Sequence, residues 1–139
     1  MKKPVDINIP TAFIVTGANV HDSQVAIPLE QLTAKRVISL YTLSDNGYYS
    51  EKIDSFVTSL GKIAITDPAK RKNSIPFAEH EKQHYKARIT VERTNSQLKL
   101  YYLPMIFSHG YKKFKFIIGL ALSLISLVQM AKIVAARSG

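Results

Sequence analysis

Residues 37–66 decide the fold class of this chain, and they have the sequence VISLYTLSDNGYYSEKIDSFVTSLGKIAIT. The mostly apolar residues 36–44 predict a buried strand, and the turn-forming triplet Asp45-Asn46-Gly47 ends it. Residues 51–60 predict a helix, and residues 62–66 predict a second short strand. Strand, helix and strand in this order favour an α/β fold with a partly parallel sheet.

The helix at residues 51–60 has a start signal, a stop signal and an apolar face. Ser50 can cap its first turn, and Gly61 is the type of residue that ends a helix in a left-handed conformation. The residues that share its apolar face are Ile53, Phe56, Val57 and Leu60.

Further strands and helices flank this unit along the chain. We predict strands at residues 4–9 and 12–16, a helix from Asp22 or Ser23 to about Leu32, a basic loop at 67–79, and helices at about 79–100 and 112–136. Because no linker or repeat interrupts this order, we predict one domain over residues 1–139, in which helices flank a mixed sheet.

Composition excludes several classes of protein. The chain has 139 residues, 46% of them hydrophobic, which is typical of a globular domain. It contains no cysteine, so a disulfide framework, a thiolate zinc site and a cysteine nucleophile are excluded. Nineteen lysines and arginines against ten acidic residues give a net charge of +9, which suggests a polyanionic partner, either nucleic acid or an anionic membrane surface.

Two segments resemble membrane or targeting signals only in part. The N-terminal lysines are not followed by a continuous apolar run, so we expect no signal peptide and a cytoplasmic protein. Residues 117–131 are uncharged, but the run is shorter than the roughly 20 residues of a membrane span and contains Ser123, Ser126 and Gln129. We therefore expect a helix that is buried on most of its surface, and no membrane partner.

Asp45 is the first candidate for chemistry. It follows an apolar strand, and ligand sites in open α/β sheets lie just beyond the carboxyl ends of strands. The alternative is a turn aspartate, a common role in the triplet Asp-Asn-Gly. Position alone leaves both interpretations open.

A second candidate is a polar stripe on the helix predicted at 79–100. Its members are three, four and seven residues apart and would share an arc of about 60°. One interpretation is a phosphodiester site, in which the carboxylate would hold a metal ion and the cations would hold phosphates. The alternative is a solvated helix face with intrahelical ion pairs. The stripe consists of Tyr85, Arg88, Glu92 and Lys99.

The spacing of this stripe resembles the Y–R–E–K signature of bacterial insertion-sequence transposases. These are DDE enzymes of the insertion-sequence-4 and insertion-sequence-5 groups, which have an RNase H-like fold. Residues 16–23 (TGANVHDS) and Asp45-Asn46-Gly47-Tyr48 also resemble motifs of that family, in the expected order. The resemblance extends over nearly the whole chain.

The resemblance implies metal-dependent cleavage and strand transfer of DNA at the ends of a mobile element. Asp45 and Glu92 would be catalytic carboxylates that hold Mg²⁺, with Mn²⁺ as a substitute. Arg88 and Lys99 would bind the DNA backbone near the cut, and Tyr85 would lie beside it. The implied partners are the terminal repeats of the element and target DNA, and the implied place of action is the nucleoid.

The sequence departs from the family pattern at the first aspartate. In the family, this aspartate lies on the first of three strands that precede the first helix. Here only two strands are predicted before that helix. Asp6 falls on the second strand of that order, so the first strand and its aspartate are expected to be missing. We therefore expect an N-terminally truncated domain that is weakly active or inactive alone, and completion by another chain, including a homo-oligomer, stays open.

Two alternative functions have their own sequence features. His80-Glu81-Lys82-Gln83-His84 matches the H-E-x-x-H signature of zinc proteases, although no third ligand is evident. A non-catalytic DNA-binding remnant would use the many basic residues, including Lys70-Arg71-Lys72, and its binding would weaken steeply with salt.

Overall fold

The computed structural model describes residues 8–67, 76–102 and 110–139, and these residues belong to two compact units. The sheet unit consists of the described residues between 11 and 88, and the helical unit consists of residues 8–10 and the described residues from 89 to 139. Asp6, the start of the first predicted strand and the basic triplet at 70–72 lie outside the described residues.

The sheet unit contains a parallel pair of short strands joined by a helix. Strand β1 (Tyr41–Ser44) pairs with β2 (Ile63–Thr66) in the register Tyr41 to Ile63 and Ser44 to Thr66. Helix α2 (Glu51–Ser59) connects them, and Gly61 follows it with φ of 74°, as the stop signal predicts. The predicted parallel strand–helix–strand unit and the α/β class are confirmed.

Two of the predicted strands differ from the structure: one is shorter than predicted and the other does not form. Only Tyr41–Ser44 of the residues predicted at 36–44 is strand, and Ile38 is fully exposed. The reason is that β2 is four residues long, so β1 has a hydrogen-bonding partner only over that length. Residues 12–16 do not form a regular strand either, although their side chains are half-buried or, for Thr16, exposed.

The core of the sheet unit lies between two helices and the strand pair. Helix α1 (Asp22–Ala34) contributes Ala26, and α2 contributes Ile53 and the fully buried Val57. The start of α1 is capped by the His21 side chain, whose Nδ1 accepts a hydrogen bond from the Ser23 backbone N–H, rather than by Asp22 or Ser23 as predicted. These contacts position the segment that follows β1, because Tyr48 packs against the same cluster.

A buried ion pair connects α1 to the strands. Lys62 Nζ lies 3.2 Å from Glu30 Oε2, and the two side chains are 5% and 12% exposed. The Thr42 hydroxyl donates a hydrogen bond to the second carboxylate oxygen of Glu30. Helix α1, β1 and the residue before β2 are therefore joined by one polar cluster.

The helix predicted at 79–100 is broken. Helix α3 (Glu79–Tyr85) is followed by a 3₁₀ turn (Lys86–Arg88) and then by α4 (Ile89–Tyr102). The expectation of one continuous helix is wrong, and because a 3₁₀ turn has about 3.0 residues per turn rather than about 3.6, the spacing rule of a continuous α-helix does not hold across residues 86–88. Glu92 and Lys99 lie on α4 in the helical unit, and both are exposed.

The last helix, α5 (Tyr111–Ser138), forms as predicted but is not mostly buried. Only 17% of its most apolar 18-residue window is buried, and its buried residues recur every four positions at Ala121, Ile125 and Gln129. Among the described residues, α5 is the one helix long and apolar enough to cross a membrane by length and composition, a test that core helices of soluble proteins also pass.

Candidate functional site

Asp45 is placed at the carboxyl end of β1, where it has two contacts of different kinds. Its Oδ1 accepts a hydrogen bond from the Gly47 backbone N–H at 3.0 Å and so caps the 3₁₀ turn Asn46–Tyr48. Its Oδ2 lies 3.2 Å from Arg88 Nη2. The turn interpretation is therefore correct, and the carboxylate still presents an oxygen to a cation.

Arg88 connects Asp45 to a tyrosine and a second aspartate. Its Nη1 donates to the Tyr85 hydroxyl at 3.3 Å, and that hydroxyl donates to Asp67 Oδ2 at 3.4 Å. The guanidinium also lies 5.8 Å from the centre of the Tyr85 ring, which is cation–π distance. We call Asp45, Tyr85, Arg88 and Asp67 the edge network.

Asp67 is the member of the edge network that sequence reasoning missed. It directly follows β2 as Asp45 follows β1, and its backbone N–H donates to the Ser44 carbonyl at 3.1 Å. Since parallel strands end at the same edge of a sheet, the rule that singled out Asp45 also applies to Asp67. The sequence contains this signal, although Asp67 is also the first residue of the loop predicted at 67–79.

The two tyrosines at this edge favour their protonated forms. Burial is the largest cause that raises the pKa of Tyr85, and the Asp67 carboxylate raises it further while Arg88 opposes the shift. Burial also raises the pKa of Tyr48, with the Asp22 and Asp45 carboxylates acting in the same direction and Arg88 against it. Tyr85 is therefore a hydroxyl donor at neutral pH, as its bond to Asp67 requires.

The edge network does not by itself make a complete metal site. Asp45 has carboxylate oxygens, the ligands that Mg²⁺ prefers, and its side chain is 44% exposed. However, in the described part of the chain no group of three or more histidine, aspartate or glutamate side chains is placed to hold a metal ion. Asp45 fits as one ligand, and further ligands are required.

Two residues of the H-E-x-x-H match, Glu81 and His84, make contacts of other kinds. The His84 ring stacks on Tyr41 with centroids 4.2 Å apart, and Glu81 Oε2 accepts a hydrogen bond from the Ala78 backbone N–H at 2.8 Å. Within residues 8–67, 76–102 and 110–139, no third ligand is placed with His80 and His84. These contacts are those of a helix start packed against a strand.

The sheet unit is therefore an α/β unit with a carboxylate just beyond the end of each parallel strand, Asp45 and Asp67, and with Arg88 paired to Asp45. A guanidinium is a group that binds phosphate oxygens, and this edge of a sheet is where ligand sites lie. The comparison with family models identifies the class more closely: residues 6–127 match the family described as "Transposase DDE domain". The match covers most of the chain, so the chain belongs to this family, whose members act on DNA and generally use a divalent metal ion. The family also implies an RNase H-like fold. No individual curated protein and no solved structure matched the chain.

Proposed function

We propose that this chain is the catalytic part of an insertion-sequence transposase related to the insertion-sequence-4 and insertion-sequence-5 groups. Its reaction would be phosphodiester cleavage and strand transfer at the ends of a mobile DNA element. The observation that carries the proposal is the pairing of Asp45 with Arg88 at the carboxyl end of a parallel strand. Family membership supplies the type of substrate, and the cytoplasmic nucleoid is the place where a protein with that substrate would act.

We assign the candidate residues as follows. Asp45 and Glu92 would hold Mg²⁺, which when bound supplies positive charge to the phosphodiester under attack. Arg88 and Lys99 would bind backbone phosphates, since a guanidinium and an ammonium both suit phosphate oxygens. Tyr85 would position Arg88, a role supported by the hydrogen bond between them.

We further propose that the chain is at most weakly active alone. In two-metal phosphodiester chemistry, a pair of Mg²⁺ ions would bring a charge of +4 to the site. Asp45 and Glu92 would supply only −2, and Mg²⁺ dehydrates reluctantly, so metal affinity should be low. Another chain, including a second copy of this one, could supply a missing ligand.

The metal assignment is tested by calorimetric titration of Mn²⁺, a substitute for Mg²⁺, into the full chain. We expect binding that Asp45→Asn and Glu92→Gln each weaken by at least about tenfold, because each removes one charged ligand. Glu51→Gln is the matched control, since Glu51 is an exposed carboxylate at the start of α2 and its removal changes the net charge equally.

Two results would count against the assignment. Equal binding by the parent chain and by Glu92→Gln would remove Glu92 from the site. The absence of any Mn²⁺ binding would favour the second candidate, a non-catalytic DNA-binding protein, for which the net charge of +9 is the supporting observation. That candidate requires DNA binding that falls steeply with salt and needs no metal.

A further inference from the structure

A polar cleft lies beside the edge network, in the sheet unit, and none of the assignments above uses it. It has a volume of about 520 Å³ and is formed by the start of α1, the 3₁₀ turn after β1 and the start of α2. We propose that this cleft binds a phosphodiester of the DNA backbone next to the one that is cut. The proposal rests on the proposed function. The residues that line the cleft are His21, Ser23, Gln24, Ile27, Asn46, Gly47, Tyr49, Ser50, Lys52 and Ile53.

The chemistry of the lining suits an anion. Lys52 contributes a positive charge, and the lining contains no carboxylate. Gln24 and Asn46 contribute amide donors, and the Ser50 hydroxyl makes no capping bond to α2 although it occupies the N-cap position. Phosphate oxygens accept hydrogen bonds from donors of these kinds, and most protein–DNA hydrogen bonds are made to the backbone.

His21 adds an imidazole ring to the wall of the cleft. Its Nδ1 lies 3.3 Å from the Ser23 backbone nitrogen and 2.8 Å from the Ser23 hydroxyl oxygen, so this ring nitrogen is used in the cap of α1. The capping contact at the start of α1 therefore leaves Nε2 as the ring nitrogen that this cap does not use, on a residue of the cleft wall.

The position of the cleft favours a phosphate close to the candidate catalytic carboxylate. Asn46 and Gly47 belong both to its wall and to the turn that Asp45 caps, and the Gly47 N–H binds Asp45 Oδ1 directly. A strand whose scissile phosphate lies at Asp45 would therefore extend past these residues.

The openness of the cleft favours DNA over a free nucleotide. Small-molecule sites usually enclose most of the ligand surface, whereas His21, Gln24, Asn46 and Lys52 are all exposed residues. A backbone phosphate needs no enclosure, because the rest of the nucleic acid is held by other contacts.

The test measures duplex DNA binding to the full chain without metal, over a series of salt concentrations, for Lys52→Gln and for Lys35→Gln. Lys35 is the matched control because it is an exposed lysine of the same unit at the other end of α1. Each phosphate contact contributes about 0.9 to the slope of log K against log salt. We expect Lys52→Gln to reduce the slope by about that amount and to weaken DNA binding several-fold. Lys52→Arg should restore the slope and the binding, and Lys35→Gln should leave both unchanged.

Several results would overturn the inference while leaving the proposed function intact. An unchanged slope for Lys52→Gln would show that Lys52 does not contact a DNA phosphate. Equal losses of DNA binding for Lys52→Gln and Lys35→Gln would show that only the net charge matters. Inorganic phosphate bound as tightly as DNA would make the cleft a free-phosphate site. A parent chain that binds no DNA at all would instead contradict the proposed function together with this inference.

Discussion

Two ion pairs contact the same two-stranded sheet, and they differ in exposure. The Lys62–Glu30 pair has side chains that are 5% and 12% exposed, and Thr42 satisfies the second carboxylate oxygen. The Arg88–Asp45 pair has side chains that are 30% and 44% exposed and lies at the carboxyl edge. Both pairs have the same N–O distance of 3.2 Å, so distance does not distinguish their roles.

Exposure distinguishes them, because it determines the cost of separating the charges. Removing one partner of a buried pair leaves an unpaired charge out of water, whereas an exposed charge is solvated when its partner leaves. The buried pair is therefore suited to joining α1 to the strands. The edge pair is suited to exchanging its partner for a ligand, which a site for phosphate or metal requires.

The largest expected effect is loss of stability when the buried pair is broken. Lys62→Met leaves Glu30 buried without its cation, and we expect the free energy of unfolding to fall by about 3–5 kcal/mol. Urea unfolding followed by circular dichroism measures this loss. The double variant Lys62→Met with Glu30→Leu should recover most of it, because no buried charge remains.

The variant Arg88→Gln breaks the exposed ion pair and is compared with Lys62→Met in the same urea unfolding experiment. Since the edge pair is partly exposed, its loss should lower the free energy of unfolding by no more than about 1 kcal/mol. A loss as large as that of Lys62→Met would show that the edge network holds the fold together, and the distinction between the two pairs would be wrong.

The parts of the fold that were predictable are those encoded by neighbouring residues. The helix at 51–59 has its cap position, its apolar face and Gly61 within a few residues, and the strand on each side is apolar. The length of β1 was not predictable in this way, because it depends on β2. Ile38 has an apolar side chain in an apolar run and is nevertheless fully exposed.

The candidate site was predictable in composition but not in arrangement. Asp45, Tyr85 and Arg88 were singled out, and the structure brings these three together. The spacing of the stripe assumed a continuous helix, but residues 86–88 form a 3₁₀ turn without a proline or glycine to indicate it. The residues on either side of this break contact residues that are far away in the sequence: Arg88 contacts Asp45, and His84 contacts Tyr41. Contacts of this kind produce no pattern among neighbouring residues from which the break could be predicted.

A smaller effect is expected at the missed member of the edge network, Asp67. If its bond to the Tyr85 hydroxyl orients Arg88 toward DNA, then Asp67→Ala and Tyr85→Phe should each weaken DNA binding a few-fold, as expected for one hydrogen bond of about 1 kcal/mol. The double variant should lose no more than one single variant, because both act through the same hydroxyl.

Asp67→Asn is the control for charge, since its amide oxygen still accepts the hydrogen bond. We expect it to bind DNA at least as well as the parent chain. If Asp67→Ala strengthened DNA binding to the same extent as Asp67→Asn, Asp67 would act only by repelling phosphate, and its positioning role would be wrong.

The smallest expected effect concerns Asp54, whose carboxylate differs from those of Glu30 and Asp45 because one of its oxygens is buried without a partner in the described part of the chain. Its Oδ1 is buried and, among the described residues, has no hydrogen-bond partner. Burial raises the pKa of Asp54 above its ordinary value. The folded state therefore binds this proton more readily than the unfolded state, and stability falls as pH rises from the ordinary pKa through the raised one. Above that window the penalty is complete.

Asp54→Asn removes the penalty, and its effect must therefore depend on pH. Because Asp54 lies in the first turn of α2, where the helix dipole favours a negative charge, part of the gain is offset. We expect the Tm to rise by about 2 °C at pH 7 and to be unchanged near pH 3, with Glu51→Gln showing no rise at neutral pH. A stabilisation that persists at pH 3 would come from the amide itself, and Asp54 would then carry no desolvation cost.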